Sequence, residues 1–140
     1  MKKIFFLSAL LSLSINCSSS DDEVSTSETS TTTTTQSTST AVKMNVVNAQ
    51  NVKQPNITVM MFKTKVTTTT NLPTIEKQVV SDSNGLANFD LSSYITSNIA
   101  QDYYFEAFKK EGNNYIMIST THPVISIKKN NQVTTSIVVN

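Results

Sequence analysis

A chain of 140 residues with 38% apolar content leaves room for one ordinary domain and little beside it. Its eleven basic residues are all lysines, set against ten acids for a formal charge of +1, so the arginine forks and concentrated basic face of a nucleic-acid binder are missing. A single cysteine and a single histidine exclude an internal disulfide, a cysteine-rich zinc site and a CxxC redox pair, and neither a metal nor a cofactor is expected.

The chain opens with "MKKIFFLSALLSLSINC". Two lysines, Lys2 and Lys3, precede an apolar run from Ile4 to Ile15. That run suits the apolar part of a secretory signal and is too short to span a bilayer as a helix. Residues 1–16 are therefore expected to be a signal peptide. Its removal takes two lysines with it and leaves a charge of −1, while residues 41–140 alone carry nine lysines and six acids. Cys17 closes the apolar run, and "SSSDDE" follows it. This arrangement resembles a bacterial lipoprotein signal, with Ser14 and Asn16 where the usual box has leucine and a small residue. The serine and acid cluster after the cysteine resembles Bacteroidota-type lipoproteins, which implies export to the cell surface. The resemblance implies acylation of Cys17, palmitate among the chains. It also implies anchoring in the outer membrane facing the outside, with a periplasm-facing anchor as the alternative. Each buried CH₂ contributes about 0.8 kcal/mol and one chain holds only marginally, so two or three chains on one sulfur make a durable anchor.

Between Ser18 and Thr40, 17 of 23 residues are serine or threonine and only Val24 is apolar. Such a segment cannot bury enough surface to offset its ordering entropy. Residues 17–40 are expected to be a lipidated, disordered tether with a root-mean-square reach of roughly 25–30 Å. Its composition is open to O-glycosylation.

From residue 41 the hydrophobic period is two, the period of strands. "VKMNVVN" puts Val42, Met44 and Val46 on one face. "NITVMMFK" sets Ile57, Val59 and Met61 against Thr58, Met60 and Phe62, and "IEKQVVS" is a weaker strand. "LANFDL" aligns Ala87, Phe89 and Leu91. "YYFEAFKK" sets Tyr103, Phe105 and Ala107 against Tyr104, Glu106 and Phe108. "NYIMIST", "VISIKK" and "QVTTSIVVN" complete the series. The only two glycines fall in turn sequences, "SDSNG" and "KEGNN", and Pro55, Pro73 and Pro123 avoid strand centres. "SSYITSNIAQD" interrupts the rhythm, as a long crossover with a helical turn would. Residues 41–140 are thus expected to form an all-β, antiparallel Greek-key sandwich of seven to eight strands.

Within residues 42–110, Asp82, Gly85 and Phe89 make a "DxxGxaxF" turn and strand, followed by Tyr103, Phe105 and Ala107 as "Y-x-F-x-A". This pattern is similar to the transthyretin-like or carboxypeptidase-regulatory-like sandwich. The first turn departs from it, having "AQNVKQP" where that family usually has glycine. The resemblance implies a scaffold or adhesion module and supplies no catalytic residue.

Four features could carry chemistry. "DSNG" at 82–85 has calcium-loop residues, yet calcium needs six or more oxygens and no glutamate stands at the required distance, so a plain turn is expected. His122 in "TTHPV" reads as a histidine leading into a strand; a hydrolase would need a carboxylate to orient it, and none lies within ten residues, the nearest counting along the chain being Glu111. Tyr94, Tyr103, Tyr104 and Tyr115 could stack on sugar, although tryptophan, the usual platform, is absent. Lys63, Lys65, Lys109, Lys110, Lys128 and Lys129 lie near strand ends, where charge discourages edge-to-edge pairing.

The expected function is a membrane-anchored, non-enzymatic sandwich presenting a surface to a protein or glycan partner. The alternatives are a glycan-binding module serving nutrient uptake and a fimbria-like assembly subunit whose "QVTTSIVVN" strand adds to a neighbour's sheet. A small hydrolase using His122 stands behind these.

Overall fold

The computed structural model describes residues 38–140. The signal peptide expected over 1–16, Cys17 and the tether up to residue 37 lie outside the described residues. Eight strands follow one another: β1 (Ala41–Asn48), β2 (Thr58–Phe62), β3 (Ile75–Val80), β4 (Leu86–Asp90), β5 (Gln101–Glu111), β6 (Asn114–Met117), β7 (Val124–Ile127) and β8 (Gln132–Val139). They form two sheets, one ordered β4-β1-β8 and the other β3-β2-β5, with β6 and β7 both pairing β5. The all-β sandwich expected from the period-two pattern is the fold. Every pairing is antiparallel except β1 with β8, which run parallel over eight residue pairs. A parallel neighbour needs a crossover connection, and here the rest of the domain intervenes between the two strands.

The alternating residues meet between the sheets. Val42, Met44 and Val46 of β1, Ala87 and Phe89 of β4, and Ile137 and Val139 of β8 face Val59, Met61, Tyr103, Phe105, Ala107, Ile125 and Ile127. Phe89 and Phe105 meet edge to face across the gap, centroids 5.3 Å apart at 82°. β2 is buried at all five positions. Its second face, Met60 and Phe62, joins Phe108 and Val66 in a smaller apolar cluster on the outside of the larger sheet. Val66 belongs to the β2–β3 connection, which lies back over that face. Burial of each such side chain contributes about 1.5–3 kcal/mol, so sequestering the second face adds stability that a one-sided sheet would lack.

The crossover after β4 contains the expected helical turn: the Ile95 N–H donates to the Leu91 carbonyl at 2.8 Å, and both side chains are buried. The tether's last residue is already part of the fold. Thr40 is 1% exposed, its carbonyl accepts from Leu91 N–H, and its hydroxyl accepts from Asn130 N–H at 2.8 Å.

Asparagine performs much of the turn chemistry. Asn51, Asn56 and Asn130 hold φ of 61°, 60° and 60°, the left-handed region that asparagine tolerates better than most residues. In the β1–β2 turn, the Asn48 side-chain oxygen accepts from the backbone N–H of Gln50 and Val52. In the β3–β4 turn, the Asp82 carboxylate accepts from Asn84 and Leu86 N–H at 2.8 and 2.9 Å. Gly85 follows with φ 69°, and a Cβ there would lie 2.9 Å from the Val46 carbonyl oxygen and 3.0 Å from Gln54 N. This glycine is required twice, by its backbone conformation and by the close approach of β1.

Gly85→Ala is expected to lower the urea midpoint more than Gly112→Ala. At Gly112, φ is 60° but nothing lies within 4 Å of an added Cβ, so its cost is limited to left-handed strain of about 1–2 kcal/mol. Equal shifts would refute the close approach. The backbone donors on Asp82 and Asp90, Leu86 N–H and Ser92 N–H foremost, hold both carboxylates below their ordinary value. Folded-state depression means stabilisation that is complete above the ordinary aspartate value, near 3.8, and that is lost as pH falls from there through the depressed folded-state value. Asp82→Asn should therefore melt below wild type at pH 7, and the difference should shrink below about pH 4.

Candidate functional site

Two polar clusters stand out from the apolar framework. The first lies under the break between β6 and β7. These two strands are collinear pieces on one edge of β5, separated where residues 119–122 leave the sheet between Ile118, whose N–H donates to the Ala107 carbonyl, and Pro123. Proline fits the break: Pro123 has no N–H to donate, and its carbonyl accepts from Phe105 N–H at 3.0 Å. The departing segment reaches β8 instead, where Thr120 N–H donates to the Val138 carbonyl and Val138 N–H donates to the Thr121 hydroxyl. Glu106, in the middle of β5, is buried to a side-chain exposure of 3% beneath it. Its carboxylate accepts from the Ser119 hydroxyl at 2.5 Å and contacts His122 Nδ1 at 2.8 Å. The imidazole itself is half-exposed.

A carboxylate thus does orient His122, and it comes from sixteen residues away along the chain, beyond the neighbourhood that "TTHPV" offers. The signal for it was an acid inside the apolar run "YYFEAF", on the same strand face as Tyr104 and Phe108. With the proton on Nδ1, the imidazole donates to Glu106 as the neutral tautomer or as imidazolium. A hydrolytic relay runs from hydroxyl to imidazole to carboxylate. Here the Ser119 hydroxyl and the imidazole both bond to the same carboxylate, in parallel. The Thr120 hydroxyl donates to a backbone carbonyl. The arrangement is a clamp centred on a buried acid, tying the strand break to β5.

The second cluster lies at the pole of the sandwich where Thr40 enters β1. Lys63 extends from the end of β2, Glu76 from β3, Tyr94 from the β4–β5 crossover, and Gln101, Asp102 and Tyr103 from the start of β5. Lys63, Gln101, Asp102 and Tyr103 line a cleft of 450 Å³. Behind Lys63, its Nζ lies 3.6 Å from Glu76 and 5.7 Å from the centre of the Tyr94 ring. The Tyr94 hydroxyl donates to Glu76. Burial raises the Tyr94 phenol above its ordinary value, with the bond to Glu76 adding to it against the opposing influence of Lys63. Tyr94 and then Glu76 in turn hold the exposed Lys63 ammonium above its own ordinary value. Tyr103 is buried at 2% exposure, with its hydroxyl donating to Gln101 Oε1 at 3.1 Å.

The four tyrosines considered as sugar platforms therefore separate into two pairs. Tyr94 and Tyr103 meet edge to face at 6.2 Å beside the cleft. Tyr104 and Tyr115 pack on the outer apolar cluster, Tyr115 against Phe108. The "DSNG" carboxylate is engaged by backbone N–H groups, as a turn requires. All six strand-end lysines are exposed; Lys109 pairs with Glu111 at 3.3 Å.

Fold and clusters together define an all-β sandwich with one buried acid clamp and one open polar cleft. Compared with known proteins, the chain matches no family model and no curated protein.

His122→Ala leaves a buried carboxylate with one donor fewer and is expected to destabilise the domain by about 1–3 kcal/mol. Glu106→Gln keeps an acceptor for the imidazole and a donor for Ser119, so its loss should be smaller, and the double variant should lose less than the sum. Urea titrations of the three variants measure this; additive losses would show that the two side chains act independently.

Proposed function

We propose that this chain is a lipid-anchored bacterial surface protein, of the Bacteroidota type, that presents a non-catalytic sandwich to a protein or glycan partner. The observation that carries this reading is the position of Cys17. It ends an apolar run that follows two lysines, and it precedes an acidic, Ser/Thr-rich stretch leading to β1. A thioether at that point fastens the chain, and the following polar residues keep the sandwich clear of the headgroups. The transthyretin-like or carboxypeptidase-regulatory-like pattern accords with a scaffold or adhesion role. The parallel bonding of Ser119 and His122 to one carboxylate gives Glu106 a structural task and supports a display role over hydrolysis. The terminal strand β8 is paired along its length with β1 of its own chain, which favours display by a self-contained domain over donation of that strand to a neighbour.

A second reading, a glycan-binding module in nutrient uptake, is favoured by the cleft beside Tyr94 and Tyr103.

Metabolic labelling with an alkyne palmitate analogue is expected to tag the wild-type chain and leave Cys17→Ala untagged. Protease treatment of intact cells is expected to remove the domain from wild type. An untagged wild-type chain would refute the anchor, and a tagged but protected chain would place the domain on the periplasmic side.

A further inference from the structure

We propose that the outer edge of β8 is a self-association site, where a second copy of this chain adds its own β8 antiparallel about a two-fold axis at Thr134. This goes beyond display of a single domain and rests on neither the anchor nor the glycan reading. Backbone direction defines the site. The carbonyl of Asn131, one residue before β8, accepts from Ala41 N–H of β1, so the odd-numbered residues of β8 turn their backbone groups toward β1. The even-numbered residues turn theirs outward, since a strand alternates. At the C-terminal end, residues 118–121 of the same chain cover that side. Val138 N–H donates to the Thr121 hydroxyl, the Val138 carbonyl accepts from Thr120 N–H, and Asn140 N–H donates to the Ile118 carbonyl. Thr134 and Ser136 have no such cover: their outward N–H and C=O groups meet no partner among the described residues.

Edge strands of soluble proteins are guarded by charge, proline, bulges or brevity, because an unguarded row of backbone groups pairs with another chain. The other edges of this domain follow that rule. β3 comes two residues after Pro73 and carries Glu76 and Lys77. β4 is five residues long and ends in Asp90. β6 and β7 have four residues each, and Pro123 stands directly before β7. β8 is the exception: its eight residues, QVTTSIVV, include no charge, no proline and no glycine.

The edge is complementary to itself. A two-fold axis at Thr134 sets that residue opposite its own copy and Ser136 opposite Gln132 of the partner subunit. The outward backbone groups then exchange hydrogen bonds in the antiparallel pattern. On the inner face, Val133, which packs against the core, comes opposite Thr135 of the partner subunit. On the outer face, threonine meets threonine, a favourable cross-strand pair. Lys43, beside Thr134 on β1, and its copy stand three strand spacings apart, about 14 Å. That exceeds the Debye length of about 8 Å at physiological salt, so their repulsion is screened. Both ends of the stretch are bounded. Asn130, with φ 60°, turns the chain away before β8, and residues 118–121 occupy the edge beyond Ser136. A second copy slipped toward Val138 would run into that segment. Two identical strands cannot exchange the slanted bonds of a parallel ladder symmetrically, so the closed pair is antiparallel, with the same patch on both subunits.

The test is disulfide trapping of the full chain in intact cells, with a mild oxidant and a non-reducing gel. A hydrogen-bonded antiparallel pair puts its Cα atoms about 5.5 Å apart, within the span a disulfide bridges. Thr134→Cys is therefore expected to give a dimer as the major species. Ser136→Cys sets the two thiols four residues out of step, about 14 Å along the strands, and is expected to give at least tenfold less dimer. Both side chains are exposed, so the variants should melt like wild type. Absence of a dimer from Thr134→Cys, equal yields from the two positions, or capture of a different protein in place of the second copy would overturn the assignment. Wild type supplies the baseline. A cross-link through Cys17 would count against its acylation and not against the edge, which the same two positions then read in a Cys17→Ser chain.

Discussion

Strand β5 is kept from water on both faces through its middle, from Phe105 to Phe108, and the rest of the domain is arranged around that constraint. Its inward residues, Tyr103, Phe105 and Ala107, complete the core between the sheets. Its outward residues have no second sheet to meet. Phe108 is covered by the chain between β2 and β3, through Val66. Glu106 is covered by the segment between β6 and β7. The strand is buried on two sides because two connections fold back over it.

Burying Glu106 at the middle of such a strand is costly unless its acceptors are matched. The Ser119 hydroxyl and the His122 imidazole supply the match, and both come from the segment that must leave the sheet to reach β8. The carboxylate and the strand break therefore solve each other's problem. The break brings donors over the acid, and the acid holds the break against β5. Pro123 makes the departure possible without an unpaired donor. No buried side-chain nitrogen or oxygen among the described residues lacks a partner, which is the condition for a polar feature in an apolar framework to persist.

The two poles of the sandwich have different characters. At the pole of the β1–β2 and β3–β4 turns, Asn51, Asn56 and Gly85 take left-handed conformations, and side-chain oxygens of Asn48 and Asp82 gather backbone N–H groups. This pole is bonded to itself. At the opposite pole, where Thr40 enters, the exposed residues Lys63, Gln101 and Asp102 border an open cleft, with Lys63 paired to Glu76 and Gln101 bonded to the Tyr103 hydroxyl. The turn chemistry that could have resembled a metal loop is internal to its own turn, the Asp82 carboxylate being taken up by Asn84 and Leu86 N–H.

Alternation and turn residues alone were enough to locate all eight strands, to align the shared faces of β1 and β4, and to separate the two faces of β2 and β5. Side-chain period is a local property, enforced by the pleat, and a buried face cannot tolerate a slip of one residue. The left-handed turn at Gly85 was legible for the same reason, since Asp82 and the glycine act within one turn, whereas the close approach of Val46 and Gln54 to it was not. The sequence did not reveal the parallel pairing of β8 with β1, the Glu106–His122 clamp or the grouping of Lys63 and Glu76 with Tyr94 and Asp102. Each joins residues that are distant along the chain, and their distances depend on which strands become neighbours. Pattern along the chain determined which residues leave water; only the packing of two sheets decided which polar groups would meet, because that choice is made by topology and not by period.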